Sequence, residues 1–350
     1  MDKIEIKVYQ VKCGDCFYLR YISMNKIINI FIDAGYTDTY KKTFKNDVKA
    51  ILERGEKIDL FVITHIDQDH IGGIKPFLRE FDINAIEEFW FNQSDKFEIR
   101  ENDFEHEISV KQGINLRDYY HSKGRNFKEV IAGDILNIAD LITFKILSPT
   151  QDDLTKFKEE WKQEEQKFEF EIASKLNDYG ISIEELISNI FKEDTDLVNK
   201  SSIAFLIEIG QFKAFFSADA HPSIICKSLR NLGYSKQNRL KLDILKVPHH
   251  GSKGNLSYEL LELLDCQNFI FSANGINRDN LPNKETIARI VGNPSRDFNK
   301  KIKLYFNYDN ERLQSIRTCE EEITYNFECI YTKSSINHLQ LSHEIFREFV

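Results

Sequence analysis

The stretch THIDQDHIGG, residues 64–73, places four side chains that can bind a metal ion within six positions. These side chains are His65, Asp67, Asp69 and His70. Imidazole nitrogen and carboxylate oxygen suit zinc, manganese or iron, and the share of oxygen favours the harder ions. An ion held in this way can activate water for hydrolysis. The alternative interpretation is a helix-capping aspartate with incidental histidines.

Two later stretches carry the same kinds of side chain. FKAFFSADAH leads to Asp219, and LDILKVPHHGS leads to His249 and His250. Each follows an apolar run, as THIDQDH follows LFVI, so three predicted strands end in loops with metal-type ligands. Loops at one end of a sheet are where sites assemble from distant parts of a chain. The three stretches together predict one site and argue against the capping alternative.

The local spacing predicts how the four side chains of the first motif are divided between two ions. In an extended backbone, side chains two residues apart point the same way, so His65 and Asp67 would share one ion. The turn at Asp69 and His70 would present a second pair. Gly72 and Gly73 then allow a tight turn before the next helix.

The elements that position these loops are visible as short apolar runs. Runs rich in Ile, Val, Phe and Tyr and bounded by Gly, Asp, Asn or Pro predict strands. They are IEIKVYQV, FYLRYI, IINIFI, LFVI, FLIEI, KAFF, LDILKV and FIFSA. KPFLREF and SYELLELL predict helices, the second capped by Ser257. Strands come first as hairpins and later alternate with helices, which indicates a mixed α/β chain with helices packed on sheets.

Residues 151–198 form a segment of different character, with an apolar helical stripe on a very charged background. The stripe consists of Leu154, Phe157, Trp161, Phe168, Ile172 and Leu176. A second helix is predicted from Ser182, with Ile183, Leu186, Ile187 and Ile190 as its buried face. We interpret 151–198 as a helical insertion packed on the main fold. A structural lid is the simplest role, and selecting substrate or binding a protein partner is the alternative.

The last segment, residues 296–350, is predicted to be a C-terminal extension packed on the main domain. KIKLYF and EEITYNF have the pattern of strands, whereas LQLSHEIFREFV has the pattern of a helix.

Composition narrows the class of protein. The chain has 350 residues, of which 41% are hydrophobic and 29% charged, which is typical of a globular protein. MDKIEIKVYQ is strand-like and unlike a signal peptide, and no uncharged apolar stretch approaches the roughly 18 residues of a membrane span. These features predict a cytoplasmic protein without a membrane partner. The net charge of −9 argues against binding nucleic acid through bulk electrostatics, but leaves room for a local basic groove.

Six cysteines in a chain of this size do not make a disulfide scaffold. Cys13 and Cys16 form a C-x-x-C that could be redox-active or half of a zinc site. The second pair needed for a zinc ribbon is missing. The favoured interpretation is a hairpin turn, in which the glycine and aspartate make the bend.

The order H-x-D-x-D-H-x-G-G, S-A-D-A and V-P-H-H-G-S resembles the metallo-β-lactamase fold. More closely, it resembles the branch with the hydrolase domain of competence-type (ComEC-like) DNA-uptake proteins. In that branch an aspartate replaces the second histidine of the wider H-x-H-x-D-H signature, as Asp67 does here. CGDC, FIDAG with Asp33, ILSP at 146–149 and NKSSIAFLIEIG also match. The resemblance covers nearly all of residues 1–295 apart from the insertion.

The resemblance implies an α+β chain folded as an αββα sandwich, formed by residues 1–150 and 199–295. It also implies one or two divalent ions, zinc or manganese, at one edge. The implied ligands of the first ion are His65, Asp67 and one of His249 and His250. Those of the second ion are Asp69 and His70, with Asp219 as a bridge. Which of the two adjacent histidines faces the metal stays open.

The sequence departs from the branch at one position. The branch closes its site with N-x-x-x-H-P, but here Asn277 and Pro282 flank Leu281 where the histidine belongs. Leucine cannot bind a metal, so either Asp279 or Asn280 supplies an oxygen or the second ion is weakly held.

The resemblance and the residues that can bind a metal ion predict a metal-dependent phosphodiesterase or nuclease that acts on DNA or another nucleic acid. Asp69 would orient the attacking water and accept its proton. Ser252 and Lys253 are candidates for binding a substrate phosphate, with an ordinary solvated turn as the alternative. Two other functions compete: a hydrolase of a small ester, lactone or nucleotide, and a non-catalytic binding or regulatory subunit. The sequence does not indicate the oligomeric state.

Overall fold

The computed structural model describes residues 2–92, 116, 119–164, 177–277, 279–333 and 335–345. The strands of the first third are β1 (Asp2–Tyr9), β2 (Phe17–Ile22), β3 (Ile27–Ile32), β4 (Ile58–Ile63) and β5 (Ile86–Phe91). The middle strands are β6 (Ile135–Ile138), β7 (Ile142–Ser148), β8 (Ala204–Ile209), β9 (Phe212–Phe216), β10 (Leu240–Leu242) and β11 (Ile244–Lys246). The last strands are β12 (Leu264–Cys266), β13 (Asn268–Phe271), β14 (Ile302–Phe306), β15 (Phe327–Tyr331) and β16 (His338–Ile345).

Helices occupy the connections between these strands. The first are α1 (Lys45–Glu53), α2 (Gln68–Ile71), α3 (Ile74–Glu80), α4 (Gln151–Glu164), α5 (Ile183–Ile187) and α6 (Leu197–Lys200). The later ones are α7 (Pro222–Asn231), α8 (Tyr258–Leu263), α9 (Lys284–Val291), α10 (Glu311–Gln314) and α11 (Cys319–Thr324). Short 3-10 turns span Tyr40–Lys42, Ile83–Ala85 and His249–Gly251. Within the described ranges, no helix is both long enough and apolar enough to cross a membrane.

The strands form two large sheets and one small one. The six-stranded sheet has the order β16-β1-β2-β3-β4-β5, and the eight-stranded sheet has the order β15-β14-β13-β11-β9-β8-β7-β6. β10 and β12 form a separate parallel pair. In each large sheet, one part is antiparallel and the other part, β3-β4-β5 or β9-β11-β13-β14-β15, is parallel.

The two large sheets pack face to face with helices outside, which gives four layers. β4 shows the arrangement, because Leu60 and Val62 face a core shared with the second sheet. Phe61 and Ile63 face the opposite way and contact a second core that includes Phe77 of α3. A third core joins the second sheet to α7, α8 and α9. Strands buried on both faces read as continuous apolar runs, which explains why LFVI does not alternate with polar residues. The αββα arrangement is confirmed.

The described part of the predicted insertion packs on the second sheet's helical layer. Ser182 caps α5 through its side chain, and Ile183 and Leu186 are buried as predicted. The helix ends at Ile187, however, and Ile190 is 86% exposed, so its predicted place on the buried face is wrong. α4 begins at Gln151 as the apolar stripe predicts. Three stripe positions lie outside the described residues: Phe168, Ile172 and Leu176.

The insertion also touches the loop that contains Leu281. The carboxylate of Asp178 accepts hydrogen bonds from the backbone N–H groups of Lys284 and Glu285, at 2.9 Å each, and so caps α9. The Tyr179 hydroxyl donates to the carbonyl of Pro282 at 3.0 Å. These contacts fix the end of that loop, while the predicted domain boundaries stay a prediction.

The C-terminal segment supplies strands to both large sheets. β14 confirms the strand predicted from KIKLYF. The strand predicted from EEITYNF is wrong, because Thr318 and Glu321 form a capping box that starts α11, and β15 begins only at Phe327. The helix predicted from LQLSHEIFREFV is also wrong over the described part, since His338–Ile345 pairs with β1 as an antiparallel edge strand. Residues 346–350 lie outside the described residues.

Candidate metal centre

The predicted site residues lie where the carboxyl ends of several strands meet. β4 runs into His65, β9 into Asp219 and β11 into His249 and His250. β3 and β4 are parallel neighbours in the first sheet, as β9 and β11 are in the second. The structure therefore brings three separate stretches of sequence to the same edge of the sandwich.

The first motif changes from extended to helical backbone at Asp67. Asp67 has φ −61° and ψ 142° and precedes α2, which carries Asp69 and His70. The extended Asp67 lies beside His65, with its Oδ2 3.5 Å from the imidazole Nε2. Glycine is required at position 73 for steric reasons, because a Cβ atom there would lie 2.1 Å from the Ala34 carbonyl oxygen.

Asp219 Oδ2 lies between four histidines. It is 3.5 Å from Nε2 of His70 and 3.5 Å from Nε2 of His249. It is 3.7 Å from Nε2 of His250 and 3.9 Å from Nε2 of His65. The carboxylate is buried, so the four imidazoles approach it in a low-dielectric environment. This arrangement fits the bridging role that the resemblance implies for Asp219.

Both members of the histidine pair face the site. Their backbones have positive φ values, 45° for His249 and 52° for His250. Nδ1 of His249 lies 3.0 Å from Oδ1 of Asn255, and Nδ1 of His250 lies 3.1 Å from the Ser272 carbonyl oxygen. With Nδ1 engaged, each ring turns Nε2 toward Asp219. Both His249 and His250 therefore face the site, which resolves the question left open by the sequence.

Asp69 lies on the side of the site that holds His250. Its Oδ2 is 3.0 Å from Nε2 of His250 and 3.8 Å from Nε2 of His70. The two imidazole Nε2 atoms are 3.3 Å apart. Together with the pair of His65 and Asp67, this gives two groups of donor atoms that share Asp219.

The donor atoms fit a divalent cation. Among the described residues, Nε2 of His65 and Oδ1 of Asp219 are buried without a hydrogen-bond partner. A buried polar atom without a hydrogen-bond partner destabilises the folded protein unless another group or ion interacts with it. Ligand atoms of His65, His70 and Asp219 lie within 4.8 Å of one another, and so do those of Asp15, His70 and His250. Imidazole nitrogen combined with carboxylate oxygen is a ligand set for zinc or manganese.

Four residues at the site were not predicted as site residues from the sequence. Asp33, noted only as part of FIDAG, accepts hydrogen bonds from Thr64 and has its Oδ2 2.8 Å from Nδ1 of His70. Asp194, in the insertion, lies 3.5 Å from Nδ1 of His249. Asp15 and Lys246 form a buried ion pair beside the site. The sequence feature that could have identified Asp15 and Asp33 as site residues is their position directly after a turn or a strand.

The loop around Leu281 does not extend the set of donors. Leu281 is buried against Cys13 and Ala273. The side-chain oxygen of Asn280 accepts a hydrogen bond from Arg312, and Asp279 is exposed. Neither residue joins the groups of donor atoms found among the described residues, so a substitute ligand from this loop gains no support.

The C-x-x-C is a turn between β1 and β2, in agreement with the favoured interpretation. Cys13 and Cys16 are both buried and form no disulfide. Burial raises the pKa of the Cys13 thiol well above its usual value, and the nearby carboxylates of Asp69 and Asp219 raise it further. A protonated thiol is a poor metal ligand.

Ser252 and Lys253 follow the histidine pair in a turn. The Ser252 hydroxyl accepts a hydrogen bond from the backbone N–H of Gly254 at 3.2 Å. Nζ of Lys253 lies 3.4 Å from Oε2 of Glu285, and the lysine side chain is 56% exposed. Both side chains thus have contacts within the protein, and phosphate binding by them stays a prediction.

The site's histidines and carboxylates shift one another's pKa in opposite directions. Burial alone would lower the pKa of His70, but Asp219, Asp33 and Asp69 raise it well above its usual value. Burial would raise the pKa of Asp219, yet His249, His70 and other imidazoles hold it well below its usual value. Despite burial, Asp219 and Asp194 raise the pKa of His249 to about 10. Without metal, the site therefore favours imidazolium–carboxylate pairs.

These shifts predict the pH dependence of the metal-free protein. A raised pKa in the folded state stabilises the protein fully below the unfolded pKa of about 6.5. That contribution of His249 is lost as the pH rises toward its folded value of about 10. Urea unfolding in EDTA should show the free-energy difference between wild type and His249→Gln shrinking between pH 6.5 and 10. A difference that stays constant or grows over this range would contradict the expected charge pairing.

Comparisons with known proteins agree with this architecture. Residues 28–88 match the Metallo-beta-lactamase superfamily. ComE operon protein 3 of Bacillus subtilis (strain 168) is 23% identical over 271 residues, which cover 74% of this chain and 27% of that protein. The chain thus spans about a quarter of the length of this curated relative.

Solved structures show similarity over most of the chain. YhfI from Bacillus subtilis, a metallo-beta-lactamase fold protein, has 10% sequence identity and a TM-score of 0.43, covering 97% of this chain and 99% of that chain. CmlA from Streptomyces venezuelae, a diiron beta-hydroxylase, has 13% identity and a TM-score of 0.45, covering 97% and 54%. Similarity at this level identifies neither a substrate nor a reaction.

Residues 28–88 match the Metallo-beta-lactamase superfamily, and the αββα sandwich of the whole described chain agrees with that match. The chain's cluster of histidines and aspartates supplies the donors that a metal-dependent hydrolase of this fold needs.

Proposed function

We propose that the protein hydrolyses phosphodiester bonds, with DNA or another nucleic acid as its substrate, through water activated by zinc or manganese. One observation carries the proposal: four imidazole nitrogens from separate loops lie within 3.9 Å of a single carboxylate oxygen of Asp219. Phosphoryl transfer requires mainly positioning and charge neutralisation, and such a site provides both.

The proposed ligands fall into two groups around Asp219. The first group is His65, Asp67 and His249. The second group is Asp69, His70 and His250. When bound, the divalent ions polarise a phosphoryl oxygen and lower the pKa of a water molecule toward about 7.

The chain's own residues position and deprotonate the nucleophile. Asp69, whose side chain is 21% exposed, can reach solvent and accept the proton of an attacking water. Asp33 receives hydrogen bonds from Thr64 and faces Nδ1 of His70, which keeps the ring's Nε2 directed at Asp219. Carboxylates behind ligating histidines fix the tautomer and the ring orientation in this way.

Nucleic acid is favoured as the substrate by the resemblance of the sequence motifs to the competence-type branch. Two lysines next to the site residues could contribute to binding a phosphate backbone. Lys12 and Lys253 have side chains 50% and 56% exposed, and each is paired with one acidic residue. Exchanging Asp38 for a phosphate at Lys12 would cost little, because that ion pair is exposed on both sides and exposed ion pairs are weak. At Lys253, the buried partner Glu285 would keep its salt bridge with Arg289. A cytoplasmic location stays a prediction from the sequence.

A non-catalytic binding subunit is the second candidate, and Leu281 favours it. The leucine is buried at the position where the branch has its last histidine, and it packs on Cys13 and Ala273. A site with fewer ligands than its relatives would hold its second ion more weakly.

The test uses one preparation of wild type and a matched preparation of His65→Ala. Bound metal is measured first, and linear and circular DNA are then assayed with zinc, manganese and magnesium. A chromogenic phosphodiester, ester and lactone are assayed in parallel. We expect metal-dependent cleavage of DNA by wild type and at least a roughly 10²-fold loss in His65→Ala.

Three other results would contradict the proposal in different ways. Equal activity in wild type and His65→Ala indicates a contaminating nuclease. Cleavage of the ester or lactone alone indicates a small-molecule hydrolase. Failure of wild type to retain any of the three ions indicates the non-catalytic subunit.

A further inference from the structure

Lys246 is a charged side chain in the interior that the proposed chemistry does not use. It is the last residue of β11, a central strand of the eight-stranded sheet, and it is 1% exposed. Burying an ammonium group costs several kcal/mol unless it is well paired. Its position three residues before His249 places it directly beside the candidate metal centre.

The ammonium group contacts two carboxylates from different sheets. Nζ forms a salt bridge with Oδ2 of Asp15, on the turn that follows β1. It also lies 3.9 Å from Oδ1 of Asp219, after β9, and 3.5 Å from the carbonyl oxygen of Ala218. Lys246 therefore links the two sheets at the point where the site is assembled.

Each of these carboxylates directs its other oxygen at the imidazoles. Oδ1 of Asp15 lies 3.3 Å from Nδ1 of His250, and Oδ2 of Asp219 lies between the four histidines. The ammonium group thus lies behind the carboxylates, on the side where Asp219 Oδ1 has no hydrogen-bond partner among the described residues.

Among the described residues, carboxylates outnumber lysine and arginine side chains at the site. Six carboxylates belong to it: Asp15, Asp33, Asp67, Asp69, Asp194 and Asp219. Across the parts of the chain that the structure describes, Lys246 is the one lysine or arginine that forms an ion pair with any of them. Two divalent ions together with Lys246 would neutralise five of these six negative charges.

We infer that Lys246 is a positioning residue that acts as a permanent internal cation. It holds Asp15 and Asp219 in place before metal arrives, and it adds to the neutralisation of the site's carboxylates once metal is bound. The inference rests on the proposed metal site for its second half only, because the first half concerns the metal-free protein.

The test is a double-mutant cycle on thermal unfolding in EDTA. Lys246→Met keeps most of the length of the side chain but removes the charge, which leaves two buried carboxylates without their shared ammonium group. We expect its Tm to fall by roughly 6–10 °C. Adding Asp15→Asn removes one of these charges, so the double variant should recover at least about half of that loss. Losses that simply add would overturn the inference.

Lys284→Met is the matched control. Lys284 is also buried, at 2% exposure, but it pairs with Glu321 at 2.8 Å. Asp15→Asn should not rescue the Tm of Lys284→Met, because the two residues share no contact. Rescue of both lysine variants would indicate a general effect of Asp15→Asn and would overturn the inference.

The second readout is the effect of Mn²⁺ on the Tm gap between each variant and wild type. A purely structural role of Lys246 would leave this gap unchanged. The Tm gap between Lys246→Met and wild type should narrow with saturating Mn²⁺, whereas the gap of Lys284→Met should stay constant. Equal behaviour of both variants would overturn the inference. If Mn²⁺ does not raise the Tm of wild type, the proposed function fails, and the cycle in EDTA decides the inference. If Lys246→Met does not fold, a folded double variant supports the inference and an unfolded one overturns it.

Discussion

Asp219→Asn is expected to slow metal-dependent phosphodiester hydrolysis by about 10³-fold or more. The substitution preserves shape, but it removes the charge that four imidazole nitrogens approach within 3.9 Å. It also places either a neutral oxygen or an amide N–H group at the proposed bridging position. Both groups of donor atoms lose their shared ligand, so one change weakens the whole centre.

The measurement is the initial rate of DNA cleavage at saturating metal, with the metal content of each protein measured alongside. Asp243→Asn is the matched control, because Asp243 lies in the same region of the second sheet and its side chain accepts a hydrogen bond from the backbone N–H of Lys213 at 2.8 Å. The control should keep its rate within about twofold. An Asp219→Asn protein that keeps the wild-type rate would remove this carboxylate from the mechanism.

Asp69→Asn is expected to lower kcat by about 10²–10⁴-fold, in the range of a lost general base. An amide oxygen can still approach a cation, but it cannot accept a proton from water at neutral pH. Raising the metal concentration should therefore not restore the rate. The loss should appear in kcat more than in KM, because the effect is on the transition state.

Asp67→Asn is the variant that distinguishes proton acceptance by Asp69 from metal binding. Asp67 contacts His65 at 3.5 Å and is proposed only as a ligand, so excess metal should restore part of its lost activity. Asp152→Asn, an exposed position at the start of α4, serves as the neutral control. Equal rescue of Asp67→Asn and Asp69→Asn by metal would contradict the proton-accepting role of Asp69.

Local sequence patterns predicted the elements that position the site. Continuous apolar runs such as LFVI correctly indicated strands buried on two faces, and the polar residues that follow them lie together in the structure. The predictions failed where a distant partner decides the structure. His338–Ile345 alternates between buried and more exposed residues, but only pairing with β1 makes this pattern a strand.

The sequence predicted the side chains that face the site better than those behind them. His65, Asp69 and Asp219 occur in recognisable motifs, and the structure brings them together. Lys246 stands in an apolar strand and Asp194 in the insertion, where neither has a local pattern that indicates its partner. Their roles depend on contacts between residues far apart in sequence, such as the pair of Lys246 with Asp15. Such contacts follow from the packing of the two sheets.

Anomalous diffraction from crystals grown with Mn²⁺ or Zn²⁺ tests the central claim most directly. The account predicts at least one anomalous peak beside Asp219, with imidazole nitrogens of His65 or His70 about 2.0–2.3 Å away. His65→Ala crystals, treated in the same way, should lose or weaken the peak nearest that residue. Wild-type crystals at saturating metal with no peak at this edge of the sandwich, or with a peak only elsewhere, would contradict the account.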